Sequence, residues 1–268
     1  MDFWKQGKNN IYVAAHRGWC AKYPENTMIA FKKAAEIGVD QIETDIRVTL
    51  DGELVCIHDA TVDRTTNGKG KVSEKTLAEL KTLDAGIKKG EEFKGEKIPT
   101  FIEFMDYVKT LPEMTLDIEL KEYPVDGWEE TAYSVCDRVL KIIDDYGFTD
   151  RVVINSWSGK LNEYIYKKYG KKYRQHVYFP SNCLGWHSVS AYEYAYCACM
   201  FAAFEEPTNL AEKWEVEHME SLGCQPWAGA AVKTEADVDK VIDRGYYLIT
   251  CNNPDEILAY LKQKGYHK

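Results

Sequence analysis

Short apolar runs alternate with longer stretches of helical period along almost the whole chain. Residues 11–15 read as a first strand and Gln41–Val48 as a second. Between them, residues 26–37 set Met28, Phe31, Ala34 and Ala35 at helical spacing, and Gly38 ends the helix. Asn26 is a candidate N-cap for it. Asp51-Gly52 marks a tight turn, so residues 54–57 return as a hairpin strand. Residues 59–100, rich in Gly, Lys, Thr and Glu, read as an insertion with one short helix at 73–82. Six more strands are expected at Thr115–Leu120, Val152–Asn155, 175–179, 200–204, 224–227 and 247–250. Helical patterns accompany them at 128–146, 161–169, 210–221, 235–243 and 255–264.

Apart from the hairpin strand, that is eight strands alternating with helices, the signature of a parallel sheet with crossover helices. No linker, low-complexity tract or charge block divides the chain. The fold expected is α/β: one (β/α)8 TIM-barrel domain over residues 1–268, with a small insertion after the second strand. The 268 residues suit a barrel, which commonly needs about 250. A doubly wound open sheet is the alternative, but the first turn lacks the Gly-rich sequence it would want.

Charge narrows the partners. Forty-three acidic against 34 basic residues leave a net charge of -9, which speaks against nucleic acid, whose binders usually present a basic face. A phosphate-bearing substrate remains compatible, because a bound cation and local Arg or Lys can invert the field at a site. No stretch approaches the roughly 18 apolar residues of a membrane helix, so stable membrane insertion is not expected. The first five residues carry no apolar run of a signal peptide. Eight cysteines without a CxxC pair suit buried, reduced thiols and a cytoplasmic protein. Trp186, Tyr192, Tyr194 and Tyr196 read as a helix packing on the barrel rather than a lipid-binding rim. Homo-oligomerisation is left open.

The chemistry concentrates early. His16-Arg17-Gly18 is followed by Glu25-Asn26-Thr27, Glu43-x-Asp45 and His58-Asp59. Side chains two apart on a strand share a face. Gln41, Glu43, Asp45 and Arg47 therefore share one face of the second strand, and Asp117, Glu119 and Lys121 one face of the next. Carboxylates at the C-terminal ends of barrel strands read as catalytic. An ion-pair layer inside the barrel is the alternative, and it costs several kcal/mol unless a cation is present. Glu43, Asp45 and Glu119 are candidate ligands for a hard divalent cation, Mg²⁺ or Ca²⁺. His16 and His58 can act as paired base and acid, and Arg17 and Lys121 as phosphate partners.

These residues resemble the glycerophosphodiester phosphodiesterase family. The matching strings are HRG (16–18), PENT (24–27), IETDIRVTLDG (42–52), HD (58–59), RTTNGKG (64–70), LDIELK (116–121) and NSWS (155–158). The resemblance loosens after residue 160 and returns at Gln225-Pro226-Trp227 and from Val232 to Pro254. It implies a TIM barrel that hydrolyses glycerophosphodiesters to glycerol 3-phosphate and an alcohol with a divalent ion. It makes His16 the base and His58 the leaving-group acid. Two readings compete: release of a cyclic phosphate from the same site, and a silent barrel that only binds phosphodiesters. Trp227, at the end of a strand, is expected to line the glycerol side of the pocket. Family members often carry Thr-Asp-x-Pro after the last strand; here Thr250-Cys251-Asn252-Asn253-Pro254 sets Cys251 after the threonine.

Overall fold

The computed structural model describes residues 3–179, 188–203 and 206–268. Ten strands are present: β1 Tyr12–Ala15, β2 Gln41–Val48, β3 Leu54–Cys56, β4 Thr115–Leu120, β5 Val152–Asn155, β6 Arg174–Phe179, β7 Ala195–Ala203, β8 Glu206–Leu210, β9 Gln225–Ala228 and β10 Leu248–Cys251. Eight of them run parallel in the order β1-β2-β4-β5-β6-β7-β9-β10, and β10 pairs with β1 to close the barrel. The other two lie antiparallel on an extended neighbour, β3 on β2 and β8 on β7. The eightfold (β/α) barrel is the architecture.

Among the described residues, eight helices accompany the strands: α1 Met28–Glu36, α2 Leu77–Thr82, α3 Phe101–Val108, α4 Glu129–Asp145, α5 Gly159–Tyr169, α6 Lys213–Ser221, α7 Glu235–Arg244 and α8 Pro254–Lys264. The two strand faces divide as their alternation requires. Ile42, Ile46, Leu116, Ile118 and Leu120 join Phe31, Phe104 and Val139 in the core between sheet and helices. The alternate positions of β2 and β4 turn inward. A separate cluster of Val55, Ile57, Val62, Val72, Leu80, Ala85 and Ile98 gives the insertion its own small core. That core holds the segment carrying His58 against the barrel mouth.

Four local expectations need correction. Thr27, not Asn26, caps α1: its hydroxyl accepts from the Ala30 amide, while Asn26 sits in the left-handed region at φ 52°. Helix α3 lies where no element was expected, because eight residues are too short for a clear period. The strand expected at 200–204 begins at Ala195 and is followed by β8, so α6 starts at Lys213 rather than 210. Inward Cys197 and Cys199 and outward Ala198 and Met200 are all apolar, which hides the period of two. Trp186 lies outside the described residues; of the other aromatics read as one packing helix, Tyr194 is buried in the core, whereas Tyr192 is exposed and Tyr196 lies in β7.

Candidate active site

Parallel pairing of β2 with β4 sets Glu43 beside Asp117 and Asp45 beside Glu119. One oxygen from each of Glu43, Asp45 and Glu119 lies within 4.8 Å of the other two, and all three side chains are buried. Glu43 Oε1 and Asp45 Oδ1 have no hydrogen-bond partner among the described residues. Burial, then the charges of Asp45 and Glu119, pushes the Glu43 carboxyl well above its usual range. Burial likewise raises Glu119. At Asp45 burial is outweighed by Lys121 and Arg17, which hold it below the ordinary carboxylate range. Three crowded buried carboxylates, with Glu43 Oε1 left without a partner among the described residues, fit a hard divalent cation.

The first βα turn supplies His16 and Arg17. Arg17 adopts φ 56°, and its amide donates to Glu43 Oε2 at 2.7 Å. Gly18 makes the turn possible: a Cβ there would stand 2.7 Å from the Ala30 carbonyl carbon. The Arg17 guanidinium reaches Glu25 at 2.9 Å and Asp45 at 3.2 Å. Asn26 Nδ2 donates to Asp45 Oδ2 at 2.8 Å and fixes that carboxylate from the other side.

His16 Nδ1 lies 2.7 Å from Asn252 Oδ1. The amide oxygen only accepts, so Nδ1 carries the proton and Nε2 is the basic nitrogen. Burial, helped by Arg17, lowers the His16 pKa to about 4, so the ring is neutral at pH 7. Cys251, by contrast, is buried in the core away from the site. Its neighbour Asn252 faces His16 instead, a partner the sequence did not reveal.

His58 comes from the insertion. Its Nδ1 is 2.6 Å from Asp59 Oδ1, and burial lowers its pKa. Arg64 clamps Asp59 Oδ2 at 2.7 Å and Glu25 Oε2 at 2.6 Å, which links the His58 side to Arg17 through charge-assisted bonds. Arg47 Nε donates to the His58 carbonyl at 2.8 Å and Nη1 to the Lys121 carbonyl at 3.1 Å. Lys121 Nζ contacts Glu119 and lies 3.2 Å from Asp45 Oδ1; burial opposes its charge, but the two acids raise its pKa.

His16, Arg17, Glu43, His58, Glu119 and Lys121 line one cavity of ≈ 300 Å³. Its lining also includes Trp157, stacked on Tyr178 at 3.9 Å, together with His176 and residues 229–231. Trp157 was present only within the NSWS string, and His176 was read as one more strand residue; neither pattern by itself reveals a lining position. Trp227 is the expectation the structure overturns. It is fully buried and does not line the cavity. Strand β9 meets the mouth through Gly229, Ala230 and Ala231, whereas Trp227 lies further down the strand. Its ring packs on Trp4, and its Nε1 donates to Gln225 Oε1 at 3.2 Å.

The sequence model of the glycerophosphoryl diester phosphodiesterase family matches residues 16–255. A glycerophosphodiester phosphodiesterase from Caldanaerobacter subterraneus subsp. tengcongensis is 36% identical over 263 residues, covering 94% of this chain and 98% of that protein. Among solved structures, a putative glycerophosphoryl diester phosphodiesterase from Silicibacter pomeroyi superposes with a TM-score of 0.81 at 21% identity, over 96% of this chain and 94% of that one. A phosphodiesterase from Oleispira antarctica, solved with the product sn-glycerol-3-phosphate, gives 0.76 at 24% identity, over 94% and 96%. Those two share the barrel fold. The family match over most of the chain, with the full-length relative, shows that this protein belongs to the glycerophosphoryl diester phosphodiesterase family of enzymes.

Proposed function

We propose that this enzyme hydrolyses glycerophosphodiesters to glycerol 3-phosphate and an alcohol, dependent on a divalent cation and on His16 and His58. The observation that carries the reading is that both histidines line one cavity with Glu43 and Glu119, two members of the acidic cluster. Glu43, Asp45 and Glu119 would hold Mg²⁺ or Ca²⁺, which supplies positive charge for the phosphoryl oxygens when bound. Arg17 and Lys121 bind and orient the phosphodiester, Arg17 through its fork and Lys121 as a point charge. His16, neutral and oriented by Asn252, takes the proton of the attacking water at Nε2. His58, held at Nδ1 by Asp59, protonates the departing alkoxide. The anionic substrate favours its charged form against the burial that lowers its pKa. A reducing, cytoplasmic setting is part of the proposal, supported by seven described cysteines that are all unbridged.

The experiment compares His16→Ala with His58→Ala on glycerophosphocholine and on a diester with a p-nitrophenol leaving group. Each change lowers kcat on glycerophosphocholine by roughly 10²–10⁴-fold. The nitrophenyl substrate needs little protonation, so it rescues His58→Ala more than His16→Ala. Full activity in either variant, or rescue of the opposite one, would contradict the assigned roles.

A further inference from the structure

Asp117 and His176 have no part in the mechanism above. Asp117 shares the inner side of β4 with Glu119, and His176 arrives from β6, two strands away. His176 Nδ1 and Asp117 Oδ2 are 2.7 Å apart, and both side chains are withdrawn from solvent. With the carboxylate accepting from Nδ1–H, Nε2 is the ring atom left to meet a partner from the cavity. Nε2 is buried and has no hydrogen-bond partner among the described residues, and the same is true of Asp117 Oδ1. Both residues line the catalytic cavity beside Glu43 and Glu119.

A pair serving only the barrel core would satisfy its second nitrogen, because unpaired buried polar atoms are costly and rare. Here aromatic packing fixes the ring instead. Trp227 meets it edge-on with centroids 4.9 Å apart, and Tyr178 lies nearly parallel at 5.7 Å. Asp117 Oδ1 and His176 Nε2, two unpartnered polar atoms on the cavity wall, suit a hydroxyl group, which can both donate and accept. The phosphodiester belongs with Arg17 and Lys121, and Lys121 follows the end of β4, four residues beyond Asp117 toward the barrel mouth. His176 also lies one inward position deeper on β6 than Tyr178, with Trp227 closing the barrel beneath, so a short polar arm suits the space.

We propose that Asp117 and His176 form a hydroxyl-binding subsite for the glycerol arm of the substrate, with His176 Nε2 hydrogen-bonded to one glycerol hydroxyl. The assignment rests on the phosphodiesterase reading and makes His176 a specificity residue. Trp227 then supports glycerol binding from behind, as a buttress of the His176 ring.

The test is calorimetric binding of glycerol 3-phosphate and of methyl phosphate, in Mg²⁺, to the wild type, His176→Asn and His176→Gln. Asn keeps a donor for Asp117 but lacks a group at the Nε2 position; Gln places its amide there. The wild type should prefer glycerol 3-phosphate, His176→Asn should lose about five- to tenfold of that preference, and His176→Gln should keep most of it. No preference in the wild type overturns the subsite without any variant. So does a preference kept by His176→Asn, or one lost equally in both variants, which marks the pair as packing. Turnover of glycerophosphocholine by the wild type is followed separately; its absence would refute the hydrolase reading and leave the binding ratios to decide the subsite.

Discussion

At the scale of single residues, the site depends on partners that fix each group in one orientation. Asn252 shows this most directly, since its oxygen decides which His16 nitrogen is basic. Asn252→Ala should lower kcat by roughly tenfold or more, yet by less than the loss of His16 itself. Asn252→Asp should keep the hydrogen bond and add a negative charge beside the ring, which raises the His16 pKa from about 4. The base works in its neutral form, so activity is lost as pH falls through that value. The acid limb of the kcat/KM profile should therefore move to higher pH in Asn252→Asp, and an unmoved limb would argue against His16 as base. The proposed ligands stood out in the sequence because they lie two apart on one strand face, and His16 and His58 because each closely follows a strand. Asn252 and His176 did not, because their meaning comes from contacts 236 and 59 residues away.

At the scale of elements, packing explains both what was legible and what was not. Strand alternation alone separates Ile42 and Ile46 from Glu43 and Asp45. It does not tell how far along a strand the mouth of the barrel lies, which is why Trp227 was misplaced. Being wholly buried, it should respond as a core aromatic: Trp227→Ala costs about 3–5 kcal/mol in denaturant unfolding. A loss below about 1 kcal/mol would show that the site collapses around it more easily than this packing suggests. The C-terminal segment after α8 offers a test by pH. His267 Nε2 lies 3.0 Å from Asp40 Oδ2 just before β2, and that hydrogen bond raises the histidine pKa despite burial. A pKa raised on folding stabilises fully below the unfolded value, near 6.5, and the gain disappears as pH rises through the folded value. The melting-temperature difference between wild type and His267→Ala should be larger at pH 6 than at pH 9. Equal differences would remove the ion pair from the account.

At the scale of the whole molecule, a closed barrel brings β1, β2 and β4 together, and the hairpin insertion adds His58 at the same mouth. The order of elements was legible because the alternation of strand and helix admits few closures. The extra pairing of β7 with β8 was not, since nothing in a run of small apolar residues marks where a strand ends. Concentrating Glu43, Asp45 and Glu119 makes the protein without cation less stable than it could be. Mg²⁺ or Ca²⁺ should raise the melting temperature in a concentration-dependent way, and Glu43→Gln should weaken the response. The most direct test of the central claim is phosphorus NMR of glycerophosphocholine incubated with the wild-type enzyme, in divalent cation and in excess chelator. A glycerol 3-phosphate signal with cation and none with chelator is the predicted result. Undiminished turnover in chelator, or a cyclic phosphate as the end product, would contradict it.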